Sequence, residues 1–195
     1  MTLSGVVVGS GKRGVVLGHQ NQSYLCSWFP FADELAAAGY TVLALDFRGF
    51  GSSSAWAADK PKTLQLDMLA GATFLRSQGV TAMVLGGASM GGTAAIVAAG
   101  TKPPGVVGVF SVSAPGMFDV MDALVAAKAL RVPSLFLAAV NDGEYATAAQ
   151  QLHDAVPSGT GTLQLVTGSA HGTQLVGSDP VVPAAIKKYV LARLR

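Results

Sequence analysis

The sequence predicts a single α/β domain, a three-layer α/β/α sandwich around a mostly parallel sheet. Three observations carry this. After an opening pair of short strand-like runs, apolar strand-like segments and helical segments alternate to the C-terminus. Each helix then returns the chain to begin the next strand in the same direction. The run between Thr41 and Asp46, Val42-Leu43-Ala44-Leu45, is apolar throughout, as expected of a strand covered on both faces. Finally, 195 residues of which 50% are hydrophobic and 12% charged suit one domain with a sizeable core, residues 1–195. No internal repeat, low-complexity tract or linker divides the chain.

Taken in order, Gly5–Val8 and Gly14–Leu17 flank Gly9-Ser10-Gly11-Lys12-Arg13 and read as a β-hairpin. Ser27 is the candidate cap of a helix running to Ala38, with Gly39 beyond its end. The apolar strand 41–46 follows. A Ser/Ala-rich loop through Pro61 then leads to a helix over 63–78, stopped by Gly79. Strand 81–86 runs into a glycine-flanked serine and the helix 90–99. The remaining elements are a strand over 105–112, a helix over 118–130, a strand over 134–139, a helix over 144–155, a strand over 162–166 and a final helix over 180–194.

Composition removes several function classes. The net charge is +2 and no basic cluster exceeds a pair such as Lys12-Arg13 or Lys187-Lys188, which speaks against a nucleic-acid partner. No apolar run has the length of a membrane span, and no basic region precedes an apolar stretch at the N-terminus. With a single cysteine, Cys26, this fits a reducing compartment, and the expected location is the cytoplasm. Cys26 itself reads as a small buried hydrophobe near Trp28. The three histidines lie far apart without a second ligand at useful spacing, so no metal site is expected. Composition leaves the oligomeric state open.

The chemistry centres on Gly87-Ala88-Ser89-Met90-Gly91, which fits the Gly-x-Ser-x-Gly elbow. A sharp strand-to-helix turn lifts the serine hydroxyl above the sheet edge. Small neighbours are needed because strand and helix backbones pass too close for bulky side chains. The bare pentapeptide is a weak signal in a glycine-rich chain; its strand-turn-helix setting gives it weight.

In a parallel sheet, catalytic groups gather beyond the carboxyl ends of the strands, so any partner of Ser89 should follow a strand. His171 lies five residues after strand 162–166, in Gly168-Ser169-Ala170-His171-Gly172, and Asp142 three residues after strand 134–139, in Ala139-Val140-Asn141-Asp142-Gly143. The order Ser89, Asp142, His171 is that of an elbow-type hydrolase. His171 is the candidate base and Asp142 its orienting carboxylate, with Glu144 the nearest substitute and Asp119 and Asp122 more remote ones. His153, inside a helix, has no such role. For the oxyanion, Met90 N–H at the helix start is one candidate donor. The other lies in Gly18-His19-Gln20-Asn21-Gln22, with Asn21 N–H favoured and Gln20 N–H second.

Together these residues resemble the α/β-hydrolase superfamily, from about residue 14 to the C-terminus. Leu17-Gly18-His19-Gln20 is similar to the family's His-Gly loop, and Asp46-Phe47-Arg48-Gly49-Phe50-Gly51-Ser52-Ser53 to its Asp-x-Arg-Gly-x-Gly-x-Ser segment. The resemblance implies loop-fixing roles for Asp46 and Arg48 and an orienting role for His19. Gln20 departs from the family's usual glycine. The short front of the chain implies about seven strands instead of eight. Too few residues separate strand 105–112 from Pro133 for the family's helical cap.

The expected enzyme is a lidless, carboxylesterase-type serine hydrolase. It would cleave small-molecule esters of short to medium acyl chain through an acyl-serine, without cofactor, metal, nucleic acid or membrane. Tyr24, Trp28, Phe50 and Met117 are the candidate substrate-binding residues. A thioesterase or acyltransferase with the same triad is the near alternative. A non-catalytic binding protein of this fold is the distant one.

Overall fold

The computed structural model describes residues 1–57 and 59–195. Its main sheet has seven strands: β1 (Gly5–Val8), β2 (Arg13–Gly18), β3 (Thr41–Leu45), β4 (Ala82–Ala88), β5 (Val106–Val112), β8 (Ser134–Ala139) and β9 (Gly161–Val166). Their spatial order is β1-β3-β2-β4-β5-β8-β9, and every pairing except β1–β3 is parallel. The helices are α1 (Phe29–Ala37), α2 (Gln65–Ser77), α3 (Met90–Gly100), α4 (Ala123–Ala129), α5 (Glu144–Ala155), α6 (Thr173–Ser178) and α7 (Val181–Arg193). Between β5 and β8 the chain forms only a two-strand ribbon, β6 (Met117–Phe118) and β7 (Met121–Asp122), and then α4. No cap domain is inserted there.

Strand alternation builds the three layers. Val16, Leu43, Leu45, Met83, Leu85, Val109 and Phe136 join one core with α2, α3, α4 and α5. Their sequence neighbours Val15, Leu17, Val42, Ala44, Val84, Phe110, Leu135 and Leu137 join a second core with α1, α6 and α7. Successive side chains of a strand point to opposite faces, so an uninterrupted apolar run feeds both cores at once. Among the described residues, no helix is long and apolar enough to cross a membrane.

The fold adds the short helix α6 and the β6–β7 ribbon to the elements read from the sequence, and it overturns four readings. β1 and β2 form no hairpin, because β3 lies between them. Their connection packs on the turn before β3 so tightly that a Cβ at Gly11 would lie 2.0 Å from the Gly39 carbonyl oxygen. This crossover gives the apolar β3 a neighbour on both sides. The Ser27 cap is also replaced: Leu25–Trp28 is a 3-10 turn in which the Ser27 hydroxyl donates to Tyr24 O, and α1 begins at Phe29 with Pro30 in its first turn. Cys26 is exposed, since that turn directs it outwards while Trp28 faces the core. The helix read over 118–130 begins only at Ala123. There the Asp122 carboxylate accepts from Val125 N–H at 2.8 Å, an N-cap in the middle of the expected helix.

Candidate active site

Four loops at the carboxyl ends of neighbouring strands meet at one edge of the sheet. The first is the β4–α3 elbow. Ser89 has φ 48° and ψ −119°, a conformation that costs a non-glycine residue on the order of 1–3 kcal/mol. Its surroundings enforce it: Ser89 N–H donates to Val112 O at 2.8 Å, and Ser89 O accepts from Thr93 N–H at 3.0 Å. A Cβ at Gly87 would lie 2.3 Å from the Gly91 backbone, and one at Gly91 would lie 2.3 Å from Gly18 O. The glycines are therefore required by close backbone approach on both flanks. Ser89 is 7% exposed, and Met90 opens α3 with a backbone N–H that has no acceptor among the described residues.

The second and third loops follow β8 and β9 and are tied together by Val140 N–H to Val166 O at 2.8 Å and Asn141 N–H to Gly168 O at 3.0 Å. His171 Nδ1 lies 3.0 Å from both oxygens of Asp142. Beside a carboxylate, Nδ1 carries the hydrogen, which leaves the Nε2 lone pair free to accept a proton. The Asp142 side chain is 7% exposed and that of His171 26%. The next residue, Gly172, brings this pair to the elbow: its ideal Cβ would sit 3.4 Å from the Ala88 Cβ, adjacent to Ser89. None of the substitute acids stands in this position. Asp122 caps α4, Asp119 accepts from Lys62 N–H at 3.3 Å, and Glu144 is exposed at the start of α5.

The fourth loop, after β2, holds His19, fully buried, with Nδ1–H donating to Gln20 O at 2.8 Å and Nε2 accepting from Phe47 N–H at 3.2 Å. Acceptance at Nε2 requires the neutral ring, and burial pushes its pKa down. Because the peptide is planar and trans, turning the Gln20 carbonyl towards His19 turns the Asn21 N–H away from it. That N–H has no acceptor among the described residues. The departure from glycine at Gln20 leaves the backbone undisturbed, because the left-handed residue of this loop is Gln22, φ 57°.

The neighbouring Asp46 segment is structural. The Asp46 carboxylate accepts from Leu25 N–H at 2.8 Å and Ser52 N–H at 3.3 Å. Arg48 donates to Asp67 from Nε at 2.6 Å and from its backbone N–H at 3.0 Å, and its guanidinium lies 4.3 Å from the centre of the Trp56 ring.

Of the candidate substrate-binding residues, Tyr24 and Met117 are exposed and Phe50 is half-buried against His19. Trp28 is a correction. It is fully buried, donates from Nε1 to Gly18 O at 3.0 Å and packs against Phe31 and Phe110, so it belongs to the core beneath the β2 loop. Two residues that contact the candidate site escaped the sequence reading. Tyr145, three positions after Asp142, lies with its ring centre 4.2 Å from that of His171. Ser113, fully buried with φ 53°, accepts from Gly172 N–H at 3.1 Å. Ser113 directly follows β5, so the strand-end rule applied to this strand would have singled it out.

A family model described as alpha/beta hydrolase fold matches residues 15–169, a segment that contains Ser89 and Asp142 and ends just before His171. The chain belongs to the alpha/beta hydrolase family. This alpha/beta hydrolase is similar in structure to a thermophilic esterase from Thermogutta terrifontis, with TM-score 0.83, 17% identity, and coverage of 99% of this chain and 94% of that one. It is also similar to a monoacylglycerol lipase from Paleococcus ferrophilus, with TM-score 0.82, 16% identity, and coverage of 99% and 100%. A putative non-heme bromoperoxidase from Mycobacterium tuberculosis H37Rv gives TM-score 0.82 at 15% identity, with coverage of 100% and 97%. At these identities the likeness concerns the fold. No curated protein matches the chain in sequence. Membership of the alpha/beta hydrolase family supports a hydrolase enzyme.

Proposed function

We propose that this hydrolase is a carboxylesterase that cleaves short- to medium-chain esters through an acyl-serine on Ser89. The observation that carries the reading is His171 held with Nδ1 3.0 Å from both Asp142 oxygens, one residue from the Gly172 that packs beside the elbow. Ser89 Oγ attacks the ester carbonyl carbon as His171 Nε2 takes its proton. The negative oxygen of the tetrahedral intermediate is received by Met90 N–H and Asn21 N–H, both without a competing acceptor among the described residues. The intermediate collapses, the alcohol leaves with the proton from His171, and water activated by the same imidazole hydrolyses the acyl-serine. Asp142 fixes the tautomer and stabilises the imidazolium in both halves.

The choice of short to medium acyl groups rests on the absence of a cap between β5 and β8. Exposed Tyr24 and Met117 and half-buried Phe50 offer apolar surface without enclosing a long tail. The test combines a fluorophosphonate probe with a p-nitrophenyl ester series. The expected result is one label per chain, lost in Ser89→Ala, and turnover that falls as the acyl chain lengthens. Labelling that survives Ser89→Ala removes the nucleophile; an optimum at long chains removes the open-cleft argument. Oxygen and sulfur esters matched in acyl group separate this activity from that of a thioesterase.

A further inference from the structure

We propose that the side chain of Gln20 is a positioning residue that locks the loop of the oxyanion donor to the loop of the catalytic base. The inference rests on the esterase reading and adds a residue to its machinery.

Gln20 Oε1 accepts two hydrogen bonds from Thr173, from the backbone N–H at 2.8 Å and from Oγ1–H at 3.0 Å, across 153 positions of sequence. Two donors on one atom fix the amide orientation, because only the oxygen can accept both. Thr173 is the first residue of α6, and its N-cap is Gly172, which has no side chain to offer. Gln20 therefore supplies from a distant loop the acceptor that the helix start lacks. The fit is tight. A Cβ on Gly172 would lie 2.1 Å from Gln20 Oε1, so the glycine leaves the space that the amide fills.

Each end of this link is bound to one half of the chemistry. At one end, the Gln20 carbonyl is held by His19, which turns the following N–H, that of Asn21, to the other side of the peptide. At the other end, Thr173 follows His171 by two residues, and His171 O accepts from Gln174 N–H at 3.1 Å, so the base and the first turn of α6 move together. Ser113 anchors the same turn through Gly172 N–H but makes no bond to the β2 loop. Among the described residues, Gln20 is the side chain that hydrogen-bonds the β2 loop to the His171 loop. Attack and oxyanion capture need the base and the donor at a fixed separation, and misplacement of about 1 Å can lower rate about a hundredfold. A glycine at this position, as the resemblance leads one to expect, leaves the two loops without this bond.

The test starts from the wild-type protein. Ser89-dependent fluorophosphonate labelling and p-nitrophenyl acetate hydrolysis establish the esterase reading. Their absence overturns that reading independently of Gln20. With activity present, Gln20→Ala is expected to lower kcat about tenfold or more with KM within about twofold. Gln20→Glu, which keeps the acceptor oxygen, should recover most of the rate. Thr173→Val, which loses one of the two bonds, should give a smaller fall. Added to Gln20→Ala, it should cost little more, as members of one link are not additive. Wild-type kcat in Gln20→Ala, no recovery in Gln20→Glu, or fully additive losses overturns the proposal. If Gln20→Ala does not fold, Thr173→Val decides: lower kcat at unchanged Tm supports the link, and unchanged kcat overturns it.

Discussion

Replacing Asp142 by alanine isolates one interaction whose size follows from the coordinates. Its two oxygens each lie 3.0 Å from His171 Nδ1, and among the described residues they accept no other hydrogen bond. In the proposed mechanism the imidazole becomes a cation during attack, so a carboxylate with its charge centre about 4 Å away then gains its full Coulomb interaction. At that distance and an effective dielectric constant near 20, the interaction is worth roughly 4 kcal/mol. Lost only in the transition state, it corresponds to roughly a thousandfold in kcat. Because the carboxylate bonds to nothing else, folding should be little affected. The assay is kcat for p-nitrophenyl acetate alongside a thermal melt, with Glu144→Ala as comparison. Asp142→Ala should lose about three orders of magnitude in kcat at nearly unchanged Tm, and Glu144→Ala should remain active. A loss below about tenfold in Asp142→Ala, or a collapse in Glu144→Ala, would refute the reasoning.

Other expectations concern the surroundings of the site. Gly91→Ala places a Cβ 2.3 Å from Gly18 O and 2.6 Å from His19 O, both backbone atoms, so the elbow and the β2 loop must separate. A stability loss of about 1–3 kcal/mol in denaturant melts should accompany a fall in activity; an unchanged midpoint would contradict the close approach. His19 is neutral in the fold with its pKa lowered by burial from 6.5. Below that value the unfolded chain binds the extra proton first, so stability should fall as pH drops below about 6.5. Melts across pH 7 to 5 should show this decline, and His19→Asn should flatten it; equal slopes in both proteins would remove His19 as the cause. Tyr145→Phe keeps the ring over His171 and should keep the rate. Tyr145→Ala should lose about 2- to 30-fold in kcat, the range for an aromatic face beside a cation. Equal rates in the two variants would make the ring contact incidental.

The fold and the pairing of Asp142 with His171 were readable from the sequence because they depend on local rules that the strand order then respects. Glycines on both sides of Ser89 report a crowded strand-to-helix turn, and the close backbone contacts of Gly87 and Gly91 are its physical form. Asp142 and His171 were readable because loops after parallel strands open on one edge. Asp142 and His171 do face one another there, and the Gly172 beside them reaches the elbow. Trp28 was misread because an aromatic residue near a site motif has the same local signature whether it lines a groove or fills the core beneath it. Burial against Phe31 and Phe110 decided the matter.

The amino-acid order by itself determined what depends on neighbours in the chain: apolar runs that must be strands, the serine turn, and the succession of strand ends that carry the carboxylate and the imidazole. Tertiary structure alone decided what depends on partners far apart in sequence. Such partners are β3 seated between β1 and β2, Tyr145 over His171, and the Gln20 amide reaching Thr173. The physical reason is that hydrogen bonds and ring contacts act over a few ångströms of space, and no periodicity in the chain records which distant loop will supply the other half.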